Sequence, residues 1–201
     1  MRSSDSSIFQ NLTRKHHSLC NWILKYYGMY ADFQTASKGV TVIEPVADLL
    51  FPVGFFDTAT QGHLGRLKYR IWRTHSHFID LCIGIEDCCN NCPQIIALSL
   101  CVFRPRYLQI TEIKIFGGSR TIIHWFNHKS MIHTLLLWYW YRTVPDILAH
   151  LSCVTVTHRY TENNQDAVTL SKKAVRQARR HLFFYETRGT TIIRTGQMKL
   201  F

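Results

Sequence analysis

The chain has 201 residues, 46% of them hydrophobic, which is enough to bury one sizeable core and too apolar for a disordered segment. Lysine and arginine total 24 against 13 acidic residues, and the formal charge of +11 favours phosphate or acidic protein as a partner. The longest apolar run, Leu135 to Tyr141, is about a third of the roughly 20 residues a spanning helix needs, so no membrane partner is expected. Met1-Arg2-Ser3-Ser4-Asp5 opens no secretory signal, and the cell interior is expected.

From Ile8 to Tyr27, apolar residues recur at helical spacing between Lys and His, which predicts an amphipathic helix within residues 1–30 that Gly28 ends. Gly39 to Phe56 reads as short strands and turns, and Leu64 to Cys82 has no clean period. Gln94 to Val102 and Tyr107 to Phe116 predict two strands around a turn at Pro105, and Gly117-Gly118 breaks the chain. Thr121 to Tyr141 is apolar and aromatic up to a stop at Pro145.

Leu151 to His158 alternates as a strand does. Residues 167–185 carry Leu170, Ala174, Ala178, Leu182 and Tyr185 on one stripe and Lys172, Lys173, Arg176, Arg179 and Arg180 on the remainder, a basic amphipathic helix. Arg188 to Arg194 reads as a turn and a final strand. With no internal repeat and no long linker, residues 1–201 are expected to form a single compact α+β domain. Its parts are a small mixed or antiparallel sheet, the N-terminal amphipathic helix and the C-terminal basic one.

An odd count of seven cysteines in an intracellular chain argues against a disulfide framework. Residues 75–101 hold His75, His77, Cys82, Cys88, Cys89, Cys92 and Cys101, thiolates and imidazoles of the kind that hold structural Zn²⁺. Cys89-x2-Cys92 is a close pair, and His75 with His77 or Cys82 with Cys101 could close the site. The competing reading is that these cysteines are small buried hydrophobes.

The basic helix could engage phosphate or acidic protein, or be a solvated face. Trp140, Tyr141 and Arg142 could stack on bases or pack in the core. Paired carboxylates, a nucleophile elbow, a phosphate-cradling glycine loop and His-Glu-x-x-His are all absent, so no enzymatic chemistry is expected. The Cys-x-x-Cys-Pro segment lacks the His-x-Glu of a deaminase.

In order along the chain, Val53-Gly54-Phe55, Ala97-Leu98-Ser99-Leu100-Cys101, Pro105, Leu108-Gln109, Gly117-Gly118, Trp125-Phe126, Trp140-Tyr141-Arg142 and the arginine-rich helix resemble the adenovirus early-region-four 34K protein family. The resemblance implies a viral early regulatory adaptor in the host nucleus, where the DNA-damage response is a target. It would join the viral early-region-one large protein, recruit host elongin B, elongin C and a cullin for ubiquitin ligation, and assist late viral mRNA export. Thr169-Leu170-Ser171-Lys172-Lys173-Ala174 matches an elongin box letter by letter, whereas Leu108-Gln109 lacks the Cys or Ala it would need. The alternative is a basic nuclear protein that binds RNA or single-stranded DNA without ligase recruitment.

Overall fold

The computed structural model describes residues 50, 52–61, 64–86, 91–130, 148–159 and 181–199. The predicted N-terminal helix, Cys88, Cys89, Trp140 to Arg142 and the basic residues Lys172 to Arg180 lie outside them.

Seven strands form one mixed sheet: β1 (Val53–Gln61), β2 (Leu64–Thr74), β3 (His77–Glu86), β4 (Glu112–Gly117), β5 (Cys153–His158), β6 (His181–Arg188) and β7 (Thr191–Lys199). Their spatial order is β5-β4-β1-β2-β3-β6-β7. β1, β2 and β3 make an antiparallel meander, β4 and β5 join parallel beyond β1, and β6 and β7 add antiparallel beyond β3. Among the described residues there are two helices, α1 (Asn91–Tyr107) and α2 (Arg120–Phe126).

Side-chain alternation divides the sheet into two faces. Phe56, Leu67, Tyr69, Ile71, Ile79, Leu81 and Ile83 form one core with Ile95, Ile96, Leu98 and Val102 of α1. Val53, Phe55, Trp72 and Phe78 cluster on the other face, with Phe116 packed against them. Each fully buried side chain of this size stabilises the fold by about 1.5–3 kcal/mol.

α1 sits where two strands around Pro105 were expected. Cys92 to Pro105 are all buried except Gln94, so the run is apolar around its whole circumference and shows no amphipathic period. Pro93 is tolerated because the first helical N–H groups have no intrahelical partner. α1 ends in a cap in which Ile110 N–H donates to the Pro105 carbonyl at 3.0 Å and Gln109 N–H to that of Arg106 at 3.4 Å. Gln109 takes the left-handed φ of 56° that this cap demands.

The expected helix over 167–185 is corrected at its end: residues 181–185 are strand β6, with Leu182 and Phe184 buried alternately. The helix-framed α+β domain is therefore replaced by a wide mixed sheet. α1 approaches β1 so closely that a β-carbon on Gly54 would stand 2.7 Å from Cys101 Sγ.

Candidate functional site

β4 ends beside the middle of β1 and β5 ends level with it on the far side of β4, and open sheets bind ligands at such carboxyl ends. The register pairs Phe56 with Gly117, and Asp57 follows on the face that carries Phe55. Asp57 is half-buried, and its Oδ1 lies 3.7 Å from the place where a β-carbon on Gly118 would stand. On the far side, β5 pairs His158 with Gly117.

His158 Nε2 donates to the Gly118 carbonyl at 3.2 Å, and the Arg159 N–H donates to the Gly117 carbonyl at 2.9 Å. The Arg159 guanidinium lies 4.9 Å over the Phe116 ring, which stacks on Phe55 at 5.5 Å. Arg159 Nη1 is buried with no hydrogen-bond partner among the described residues. Buried polar groups are normally satisfied, so this guanidinium N–H is open to an acceptor from outside the described residues.

Asn127 Nδ2 donates to the Val156 carbonyl at 2.9 Å and fastens the end of α2 to β5. Ser119 caps α2, its hydroxyl accepting from Ile122 N–H at 3.5 Å, so the turn after Gly118 is fixed at both ends. A carboxylate in the middle of β1 and an imidazole and a guanidinium at the end of β5 are thus carried on either side of β4, and the guanidinium is suited to holding a phosphodiester.

Beside this site runs a buried charged row. Arg70 Nε and Nη2 donate to the two Asp80 carboxylate oxygens at 2.7 and 2.8 Å, and Lys68 Nζ stands 3.6 Å from Asp80. Burial alone would push the Asp80 carboxyl up, but Arg70 and then Lys68 outweigh it and hold the group below its usual range. Burial pulls the Lys68 ammonium down, partly offset by Asp80. Lys68 is also the cross-strand neighbour of Asp57.

The expected Cys/His cluster is spread out. Cys82 lies on the charged face of the sheet, while Cys101 lies on α1 against the other face. His77 Nε2 is 2.8 Å from Glu186 Oε1, His75 is exposed in the β2–β3 turn, and Cys92 is buried at the start of α1. Among the described residues, no three of His, Cys, Asp and Glu gather as a metal-holding group. Burial raises the Cys82 thiol to about 11 and pushes Cys101 higher still, the behaviour of inert core thiols.

Sequence reasoning missed Asp57 and Arg159. Asp57 had one legible signal, an acidic residue that interrupts an apolar strand. Arg159 had none, because its importance depends on the register of β4 and β5.

A family model described as reverse transcriptase-like matches residues 95–174. No curated protein matches. Among solved structures, RNase H1 from the halophilic archaeon Halobacterium salinarum is similar at 16% identity, covering 63% of this chain and 98% of that one, with a TM-score of 0.57. The N-terminal RNase H domain of a Mycobacterium tuberculosis protein, solved as a fusion with maltose-binding protein, is similar at 15% identity, with 60% and 95% covered and a TM-score of 0.56. LC11-RNase H1 in complex with an RNA/DNA hybrid gives 14% identity, 61% and 95% covered, and a TM-score of 0.55.

These findings overturn the adenovirus 34K resemblance, the ubiquitin-ligase adaptor built on it, and the expectation of a chain without enzymatic chemistry. The mRNA-export role falls with that function, while the early-region-one, elongin and cullin partners and the nuclear site were expectations drawn from the resemblance alone. Nearly all of each solved chain superposes on part of this one, so the protein has the RNase H fold, here with a seven-stranded mixed sheet.

Proposed function

We propose that the chain is an RNase H-like nuclease domain that engages RNA paired with DNA at Asp57, Gly118, His158 and Arg159. The observation that carries this reading is the buried Nη1 of Arg159, without a partner among the described residues, just past the end of β5 and across β4 from Asp57, in the fold that RNases H share. The charge of +11 supports a phosphate-rich partner, and one similar structure was solved with an RNA/DNA hybrid.

Arg159 would bind a phosphate oxygen by a charge-assisted hydrogen bond, with the Phe116 ring keeping the guanidinium flat and partly dry. Through its bond to Gly118, His158 sets the backbone turn that faces Asp57.

Nuclease chemistry on this fold implies divalent cations, which need several oxygen ligands, commonly carboxylates. The described residues fit that need poorly. Asp57 is the one carboxylate placed at this end, position 118 is glycine, and Asp80 is already committed to Arg70 and Lys68. The next acidic residues in the chain, Glu162 and Asp166, lie outside the described residues. No catalytic step is therefore derived through a metal.

The test is fluorescence anisotropy with a labelled RNA–DNA hybrid in chelator, followed by an assay of RNA-strand cleavage in millimolar Mn²⁺. Binding that weakens steeply with salt is expected, with Arg159→Ala about tenfold weaker. Asp57→Asn should bind at least as tightly as wild type, because it removes a negative charge beside the bound phosphate, and any cleavage found in Mn²⁺ should be lost. Absence of hybrid binding at low salt would overturn the reading.

A further inference from the structure

On the face that carries α1, the C-terminal turn of that helix meets the β6–β7 hairpin across a cavity of about 310 Å³. That is the volume of a site for a small ligand or a nucleotide-sized segment. Among the described residues, Arg73, Arg104, Arg188 and Arg194 line it against a single carboxylate, Glu186. Arg73 lies five positions along β2 from Lys68, the neighbour of Asp57, and on the opposite face of the sheet, so the cavity is set off from that carboxylate by roughly 17 Å along the strand, at about 3.4 Å per residue, as well as by the thickness of the sheet.

Glu186 does not neutralise this group. Its Oε1 is 2.8 Å from His77 Nε2, and its Oε2 is 3.6 Å from Arg194 Nη1. Arg73 and Arg188 form no ion pair with another described residue. Guanidinium groups that converge without matching acids repel one another, and an anion seated among them relieves that cost.

The rim adds an independent sign. Gln109 lines the cavity at φ 56°, where the α1 cap favours glycine, so a polar side chain is kept there against a conformational cost. Three of the four arginines, Arg73, Arg188 and Arg194, lie outside the segment that the reverse transcriptase-like model matches.

We infer that this cleft is a second phosphate-backbone site, remote from Asp57, at which the β6–β7 hairpin and α1 grip a strand of the bound nucleic acid. The inference rests on the hybrid-binding reading above. Each arginine presents a planar fork of donors that matches phosphate oxygens, and none of the contacts reads a base, so the grip is independent of sequence.

The experiment is a salt titration of hybrid binding by the full chain in three forms: wild type, Arg73→Ala/Arg188→Ala, and the control Lys129→Ala/Lys199→Ala. The control removes two exposed charges elsewhere. Circular dichroism and thermal melts confirm folding for each form. The cleft variant should bind about tenfold more weakly, with the salt slope reduced by about one to two, while the control changes less than about threefold. Equal losses in both variants would reduce the cleft to general charge, and an unchanged cleft variant would overturn the inference while the hybrid reading stands. Wild type that binds no hybrid would sink the hybrid reading itself, and this inference with it.

Discussion

Asp57 faces Gly118 across the end of β4, with its Oδ1 3.7 Å from the position of an absent β-carbon. Among the described residues nothing else stands within 4 Å of that position and the only glycine with positive φ is Gly189, so position 118 has the backbone geometry for a side chain and space among those residues. Gly118→Asp would set a second carboxylate beside the first.

That substitution should raise the affinity for Mn²⁺ or Tb³⁺ by about tenfold, because affinity at oxygen-ligand sites follows the number of charged ligands. Metal-dependent quenching or luminescence reads this without any substrate. RNA-strand cleavage should rise in parallel. Unchanged metal affinity would mean that position 118 does not face the bound cation.

Gly117 sits in the opposite situation. A β-carbon there would collide with the Phe56 ring, so Gly117→Ala should destabilise the fold by about 1–3 kcal/mol. The double variant Gly117→Ala/Phe56→Leu should melt higher than the sum of the two single effects, since the smaller side chain removes the clash. Thermal denaturation of the four forms gives the coupling.

The Arg70–Asp80 pair is a structural pair whose loss should be severe. Arg70→Ala leaves a buried carboxylate without its bidentate partner and should cost about 3–5 kcal/mol. The pH dependence follows from the lowered Asp80 carboxyl. The folded protein binds fewer protons there than the unfolded chain, so the contribution is fully present above about the usual value of 3.8 and is lost as pH falls through the folded value. Urea midpoints across this acid range should fall less steeply for Asp80→Asn than for wild type.

Thiol labelling tests the account of the cysteines. At pH 8 the Cys82 thiol, pushed up to about 11, has roughly a hundredfold less thiolate than one at 9.0. Exposed Cys153 should react with iodoacetamide while Cys82 and Cys101 resist until the fold opens. Mass mapping of the labelled sites decides it.

The parts of the fold legible from residues were those with a plain period. β5 falls inside the alternating Leu151 to His158 segment, and β7 follows the expected turn after Arg188. β2 and β3 were unreadable because one face of each is aliphatic while the other buries Lys68, Arg70 and Asp80, charges that look solvent-facing in sequence. α1 was read as strand because burial on all sides erased its helical stripe. Leu182 and Tyr185 fit a helical stripe as well as a strand, and pairing of residues 181–188 with β3 and β7 decides for strand.

The same limit hid the site. Cys82 and Cys101 are near enough in sequence to suggest a common metal, yet the sheet lies between them. Asp57 and Arg159 are about a hundred residues apart, and only the parallel pairing of β4 with both β1 and β5 puts them on either side of the end of β4.

The most direct test of the central claim is an NMR titration of the labelled chain with an RNA–DNA hybrid in the absence of divalent metal. Shift changes concentrated at Asp57, Gly118, His158 and Arg159, and lost in Arg159→Ala, are the predicted result. Shifts that leave those strand ends untouched while the hybrid is bound would contradict it.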